Sequence, residues 1–334
     1  MILPTIQTIP NLPYLIIAMN ERKTVSVVMA TYNGEPYLRE QLDSIVAQTY
    51  PIHELIIQDD GSNDRTVEIA RTYEQRYPFV HVYVNERNLG FQENFRTAVM
   101  RATGDFVALS DQDDVWFPEK IAKQVEAIGT CAVCYSQHLR GADREHAHVV
   151  TYKCAPERQL FAAFVGHSLL MRRDFAQDPD NWLGYMTYDI GLSLLGHFRG
   201  GVAHVPEPLN WHRSHDDSAS TKIQLDMYRQ QASAPTWQPY VYGWSNYRNL
   251  QQKDSWQRFH QRMLEESEEA GNGLVSQLCR LMLSRSPFAL LRLCWVCMRH
   301  RATIYPSVTK GLSGLIHGFF YPFIHAYHCT FYDV

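Results

Sequence analysis

Apolar runs of strand length and apolar stripes of helical period take turns along residues 25–135, and no other feature of this 334-residue chain restricts its fold as much. VSVVMA (25–30), ELIIQ (54–58), VHVYV (80–84), FVALS (106–110) and CAVCY (131–135) are short, mostly apolar runs bounded by turn chemistry, the pattern of buried strands. Between them, apolar residues recur at three- and four-residue spacing. They are Leu38, Leu42, Ile45 and Val46; Ile69, Tyr73 and Tyr77; Phe91, Phe95, Ala98, Val99 and Ala102; and Ile121, Val125 and Ile128. That spacing predicts four helices. Parallel strands need crossovers and helices supply them. The expected fold class is α/β: a Rossmann-like, mostly parallel sheet with crossover helices.

Ligands of such sheets bind beyond the carboxyl ends of the strands. Three polar clusters fall there: TYNGE (31–35), DDGS (59–62) and SDQDD (110–114). Like charges as close as Asp111, Asp113 and Asp114 repel, so either water screens them in a surface turn or a cation holds them. The chain has no GxxxxGK[ST] loop and no GxGxxG after its first strand, so a Gly-rich cradle does not hold phosphates here. Mg²⁺ or Mn²⁺ on Asp113 offers another way to neutralise a diphosphate, with Asp111 acting through ribose or water and Asp114 capping the next helix. Asp59 and Asp60 can accept the imide N–H of a pyrimidine, and Tyr32 can stack on the base; an Asx turn explains DDGSND equally well.

VSVVMATYNGEPYLREQLDSIVAQTY, IIQDDGSNDRT, NERNLG and GDFVALSDQDDVW follow one another in an order and spacing that resemble the motifs of glycosyltransferase family 2. The resemblance covers about residues 24–220. It implies the GT-A fold and inverting sugar transfer from a UDP- or dTDP-sugar, either a UDP-hexose such as UDP-glucose or dTDP-rhamnose. By the same resemblance Thr31, Tyr32 and Glu35 line the nucleoside pocket, Asp60 with Asp59 reads the pyrimidine, and Asn88 and Gly90 shape the nucleotide-sugar loop. Asp111-Gln112-Asp113 matches the DXD element, with Asp113 as the Mn²⁺ or Mg²⁺ ligand. Arg96 lies near a basic position that serves the sugar diphosphate, although the usual RN pair reads NF here. EPLNWHRSHDDSAS (207–220) resembles a later segment of the family and places Arg213 on the donor and His215 on the metal or the diphosphate; Trp211-His212 departs from the commoner pair there.

Inverting transfer needs one carboxylate to take the acceptor proton. Asp189, alone among apolar residues in MTYDIGLSLL (186–195) and downstream of GHSLLMRR, is the candidate; a helix cap is its simpler role. Relatives in this family imply a lipid-linked acceptor, a glycan on polyprenyl diphosphate, and a place in O-antigen or capsule assembly. Two rival classes remain. A nucleotidyltransferase would carry a GxGxR loop after the first strand, which ATYNGEPYL lacks. A non-catalytic carbohydrate binder would have lost Asp113 or Asp189, and both are present.

The rest of the chain bounds the setting. A net charge of −4 gives no reason to expect nucleic-acid binding. Seven cysteines read as free thiols of a reducing compartment, so the expected location is cytoplasmic; the CxxC pairs Cys131/Cys134 and Cys294/Cys297 read as buried thiols. His53 and His138 read as surface residues. Residues 1–22 read as an extension and 23–220 as the catalytic domain, with a donor half (23–115) and an acceptor half (116–220). Residues 221–334 read as a helical region. From Cys279 onward there are six Lys/Arg against one acid, Asp333. In 286–301, Phe288, Leu291, Trp295 and Met298 share a face interleaved with Arg292, Arg299 and Arg301. That region (286–334) either meets the cytoplasmic face of the inner membrane peripherally or packs back on the catalytic domain.

Overall fold

In a computed structural model of the chain, the described residues are 22–151, 154–161, 165–215, 237–305 and 310–329. The expected extension 1–22 lies outside them except for Arg22, as do residues 216–220 at the end of the expected catalytic domain. Nine strands form one sheet: β1 (Val25–Thr31), β2 (Glu54–Asp59), β3 (Val80–Val84), β4 (Phe106–Ser110), β5 (Val115–Trp116), β6 (Val133–Gly141), β7 (His148–Val150), β8 (Leu169–Arg172) and β9 (Val202–Arg213). Their order is 3-2-1-4-8-6-9-5, with β7 beside β6.

The first four strands pair in parallel. Helices α1 (Leu38–Val46), α2 (Thr66–Arg76) and α3 (Phe91–Val99) are their crossovers. Side chains alternate across the strand, so β1 feeds two cores: Val25, Val27 and Met29 meet Leu38, Leu42 and Ile45, while Val28 meets Phe95 and Val99. Beyond β4 the sheet is mixed. β8 runs antiparallel to β4 and β6, whereas β9 runs parallel to β6 through two register shifts. This is a GT-A-like α/β fold, and its all-parallel part is the first half.

The second half also holds α4 (Lys120–Ile128), α5 (Pro156–Gln159), α6 (Arg173–Gln177) and α7 (Tyr188–Phe198). A helical region follows: α8 (Gln238–Gln252), α9 (Asp254–Glu269), α10 (Gly273–Leu283), α11 (Pro287–Arg299), α12 (Arg301–Ile304) and α13 (Gly311–His328). Trp256, Phe259, Leu278 and Leu293 join the same apolar cluster as Leu192 and Leu195 of α7. Arg199, just past α7, pairs with Glu266 of α9 at 2.6 Å. The helical region therefore packs back on the sheet domain. Cys134, Cys294 and Cys297 are buried free thiols, as the CxxC reading expected, whereas Cys131, also expected buried, is only half-buried because it lies just ahead of β6.

Candidate active site

The loops after β1, β2 and β3 are laced together by short polar side chains. Thr31 Oγ1 donates to Asp59 Oδ2 at 2.8 Å. Asp59 also accepts from Gly61 N (3.1 Å), Ser62 N (2.8 Å) and Ser62 Oγ (2.6 Å). A carboxylate offers about four acceptor positions, so Asp59 is filled by its own neighbourhood. Asp60 accepts from Leu89 N (2.7 Å), Gly90 N (2.8 Å) and Asn85 Nδ2 (2.7 Å), which leaves it one open position. Asn88 holds the same turn, donating to the Asp60 carbonyl at 3.2 Å and accepting from Gly90 N at 3.1 Å. Gly90 has φ 83°, a left-handed conformation that favours glycine. Glu35 is tied across to the second loop: its carboxylate accepts from Arg65 N at 3.1 Å and its N–H donates to Asp64 at 3.0 Å.

Tyr32 is half-exposed at the mouth. Its N–H donates to Gln112 Oε1 (2.9 Å) and its carbonyl accepts from Gln112 Nε2 (3.0 Å). Gln112 is therefore a brace between the first loop and the DQDD turn. A Cβ at Gly34 would lie 2.2 Å from Gln112 Oε1, so the brace requires glycine there.

The three carboxylates of the turn have three different surroundings. Asp113 Oδ2 lies 2.7 Å from His215 Nε2. His215 rests on the Tyr37 ring at 4.2 Å, and its Nδ1 is buried without a partner among the described residues. Arg213 Nε donates to the Asp113 carbonyl at 3.3 Å, pairs with Glu40, and lies over Trp211 (4.5 Å) and Tyr37 (5.1 Å). A carboxylate oxygen and an imidazole nitrogen thus converge at a part-exposed position, and by donor type the pair suits Mg²⁺ or Mn²⁺.

Asp114 does not cap a helix. Helix α4 starts at Glu119 with no side-chain cap, and Asp114 is fully buried. It lies 2.9 Å from His212 Nδ1, 3.2 Å from His167 Nδ1 and 3.0 Å from Asn210 Nδ2. His167 and His212 stack at 4.8 Å, and His138 meets both edge-on at 4.9 and 5.8 Å. His138 is thus a core residue and not the surface one expected; β6 carries it inward beside β9. His53 is exposed, as expected. Lys120 donates to the His167 carbonyl at 3.0 Å, and burial pulls its ammonium down to about 8. Burial pushes His167 well below the usual histidine range and His138 down to about 3. Burial also opposes charge on His212, but the Asp114 carboxylate outweighs it and holds that ring above its usual value.

Asp111 carries the strain of the turn. Burial raises it well above the carboxylate range, and so do the charges of Asp114, Asp113 and, more weakly, Asp189. Asp189, in the first turn of α7, thus lies near enough to the turn for its charge to reach Asp111. Its Oδ1 accepts from Ile190 N at 2.9 Å, and burial raises its pKa. The neighbouring Tyr188 ring packs on Phe95 (5.0 Å), Trp182 (6.0 Å) and Phe91 (6.2 Å). Beside it opens a cavity of about 330 Å³, lined by Gly90, Phe91, Glu93, Arg96, Trp182 and Tyr188. Arg96 stands on that wall, paired with Glu93 at 2.9 Å.

A single sheet edge thus gathers Asp60, Tyr32, Asp111, Asp113, His215, Arg213 and Asp189 from segments far apart in sequence. The glycosyl transferase family 2 model matches from Ser26 to Gly191, a span that takes in the acidic turn and Asp189. Residues 26–191 are a glycosyl transferase family 2 domain. This domain is 39% identical over 135 residues to EpsE of Bacillus subtilis, a protein named as a glycosyltransferase, covering 37% of this chain and 49% of that one. TuaG of the same organism, named as a glycosyltransferase of teichuronic acid biosynthesis, is 37% identical over 119 residues, 35% of this chain and 47% of the relative. Rv1520 of Mycobacterium tuberculosis is 40% identical over 212 residues, 57% and 59% of the two chains. The chain spans about half the length of the curated relatives it matches. Among solved structures, Staphylococcus aureus TarS 1-349 in complex with UDP-GlcNAc superposes with a TM-score of 0.57 at 16% identity, covering 91% of this chain and 89% of that one, a likeness of fold.

Four residues packed around Asp114, two of them beyond the family 2 match, escaped the sequence reading: His167, Asn210, His212 and Lys120. The signal for two of them was present. In the strand NWHR, Asn210 and His212 share one face at period two, and Trp211 and Arg213 take the other.

Proposed function

We propose that the protein transfers one sugar, with inversion, from a UDP- or dTDP-sugar to a hydroxyl of a lipid-linked glycan during surface-polysaccharide assembly. The observation that carries this reading is the contact of Asp113 with His215 at 2.7 Å, in an acidic turn whose Asp111 feels the charge of Asp189.

The open acceptor position of Asp60 takes the imide N–H of the pyrimidine, and Tyr32 stacks on its ring. That chemistry suits uracil and thymine alike. Asp111 serves the donor through its ribose or through water. Asp113 and His215 would hold Mg²⁺ or Mn²⁺, which supplies positive charge to the diphosphate leaving group. Arg213, beside the Asp113 carbonyl, adds a fixed cation to the same group. The acceptor hydroxyl approaches from the Arg96–Trp182 cavity and gives its proton to Asp189. Its oxygen bonds to the anomeric carbon as the bond to the diphosphate oxygen breaks on the opposite face. The pKa of Asp189, raised by burial, makes it a stronger base than a solvated aspartate. The similarity to TuaG, named for teichuronic acid biosynthesis, supports a polysaccharide acceptor.

The test is a panel of UDP-hexoses and dTDP-rhamnose with Mn²⁺ or Mg²⁺ and lipid-linked glycans, following nucleoside diphosphate release and glycan mass. One donor should release its diphosphate only when metal and acceptor are both present. If every donor fails to bind or to turn over with metal, the reading is lost.

A further inference from the structure

The sheet domain does not account for one surface. Helix α11 buries Leu290, Leu293, Cys294, Val296 and Cys297 against the core. Its opposite face is apolar as well: Phe288 is 80% exposed, Leu291 57% and Trp295 47%. The face that the sequence marked as interleaved with arginine is the one left open. Arg292 and Arg299 are exposed on the helix, and Arg285 is exposed just before its start.

Two neighbouring helices add to the pattern. Helix α13 packs closely on α11, so that a Cβ at Gly318 would lie 3.0 Å from Met298 Cα, and its own Leu312, Leu315 and Ile316 are exposed. Helix α8 reaches the start of α11 through Arg248, which donates to the Arg285 carbonyl at 2.8 Å and lies 4.9 Å over the half-exposed Trp244. Single exposed apolar side chains are ordinary on a soluble protein; a stripe of them at i, i+3 and i+7 is not.

Charge decides the occupant. Between Cys279 and Tyr332 there are six Lys/Arg and no Asp or Glu. A second copy docked on this face would bring arginine against arginine, which costs affinity. An anionic bilayer surface suits both halves of the pattern: aromatic and aliphatic side chains enter the acyl boundary, and guanidinium groups reach back to the phosphates. The contact lies in the interface, since among the described residues no helix is long and apolar enough to cross a membrane.

We propose that α11 docks the protein on an anionic lipid surface, with Phe288, Leu291 and Trp295 inserted and Arg285, Arg292 and Arg299 on the headgroups. This does not depend on the glycosyl-transfer reading, and binding is measured without donor or acceptor.

The full chain is mixed with phosphatidylglycerol/phosphatidylcholine vesicles or with pure phosphatidylcholine vesicles and sedimented. Wild type should pellet with the anionic vesicles and leave them at high salt. Replacing Phe288, Leu291 and Trp295 together by Ser should weaken binding by a hundredfold or more, roughly what three inserted side chains contribute. The three Arg→Gln changes should weaken it about a hundredfold. Thermal melts confirm that both variants fold, since every substituted side chain is exposed. Failure of wild type to bind anionic vesicles overturns the proposal, as does undiminished binding by the triple Ser variant. So does a wild-type dimer in light scattering that the triple Ser variant abolishes, because a second copy would then own this face.

Discussion

Two acidic doublets, Asp59-Asp60 and Asp113-Asp114, end strands at the same edge of the sheet, and they are built in opposite ways. The first is satisfied mainly from nearby, by hydroxyls and main-chain N–H groups within about thirty residues of it. The second is satisfied by imidazoles and an amide on β9 and on the turn before β8, for which His212 is 98 residues away from Asp114. The first doublet can therefore form as soon as β1 to β3 pair, whereas the second waits for a late strand. In the first doublet Asp59 is filled and Asp60 keeps one acceptor position; in the second Asp114 is fully buried among its partners and Asp113 is part-exposed.

The sharpest way to break this comparison is Asp114→Ala. It strips the buried partner from His212 and should cost about 3–5 kcal/mol of stability, read by chemical denaturation. Asp113→Asn should leave the melting temperature near wild type and abolish Mn²⁺-dependent nucleotide binding. If the two variants behave alike, Asp113 and Asp114 do not divide their labour as described.

Asp189→Asn tests whether the two sides separate functionally. Turnover should fall about a hundredfold or more while donor affinity measured by calorimetry stays the same. A variant that keeps the wild-type rate places the base elsewhere.

Acid should find the difference next. Burial holds His138 at about 3, His197 at about 4, His260 at about 3 and His325 at about 4, against an ordinary 6.5, and pushes His167 well down too. Each folded pKa lies below the unfolded one, so the unfolded chain takes the proton first. Stability is full above about pH 6.5 and is lost as pH falls, by about 2 kcal/mol per ring at pH 5. His212, raised by Asp114, runs the other way. All five depressed rings lie beyond β5. Hydrogen exchange at pH 5 should therefore rise in β6 to β9 and the helical region before it rises in β1 to β4; uniform loosening would contradict this.

The mildest change is Asp59→Asn, which keeps the shape and weakens charge-assisted bonds to Ser62 and Thr31. It should cost about 1–2 kcal/mol and lower donor affinity slightly.

The same distinction governs what the sequence made legible. The strands VSVVMA, ELIIQ, VHVYV and FVALS stand within a residue of β1 to β4, because burial on both faces leaves an unbroken apolar run. The pairing of Asp113 with His215 was legible through a motif. The role of Asp114 was not, because a carboxylate looks the same in sequence whether water or a histidine a hundred residues on will face it. His138 was misread for the same reason: only the inward face of β6, set by its pairing with β9, makes it core. On α11 the period was plain, but an amphipathic reading assumes one apolar face, and this helix has two.

Gln112 grips the main chain of Tyr32 in both directions, as an adjacent strand would. The first loop and the acidic turn are thereby clasped together by one side chain, so whatever shifts either of them carries the other along.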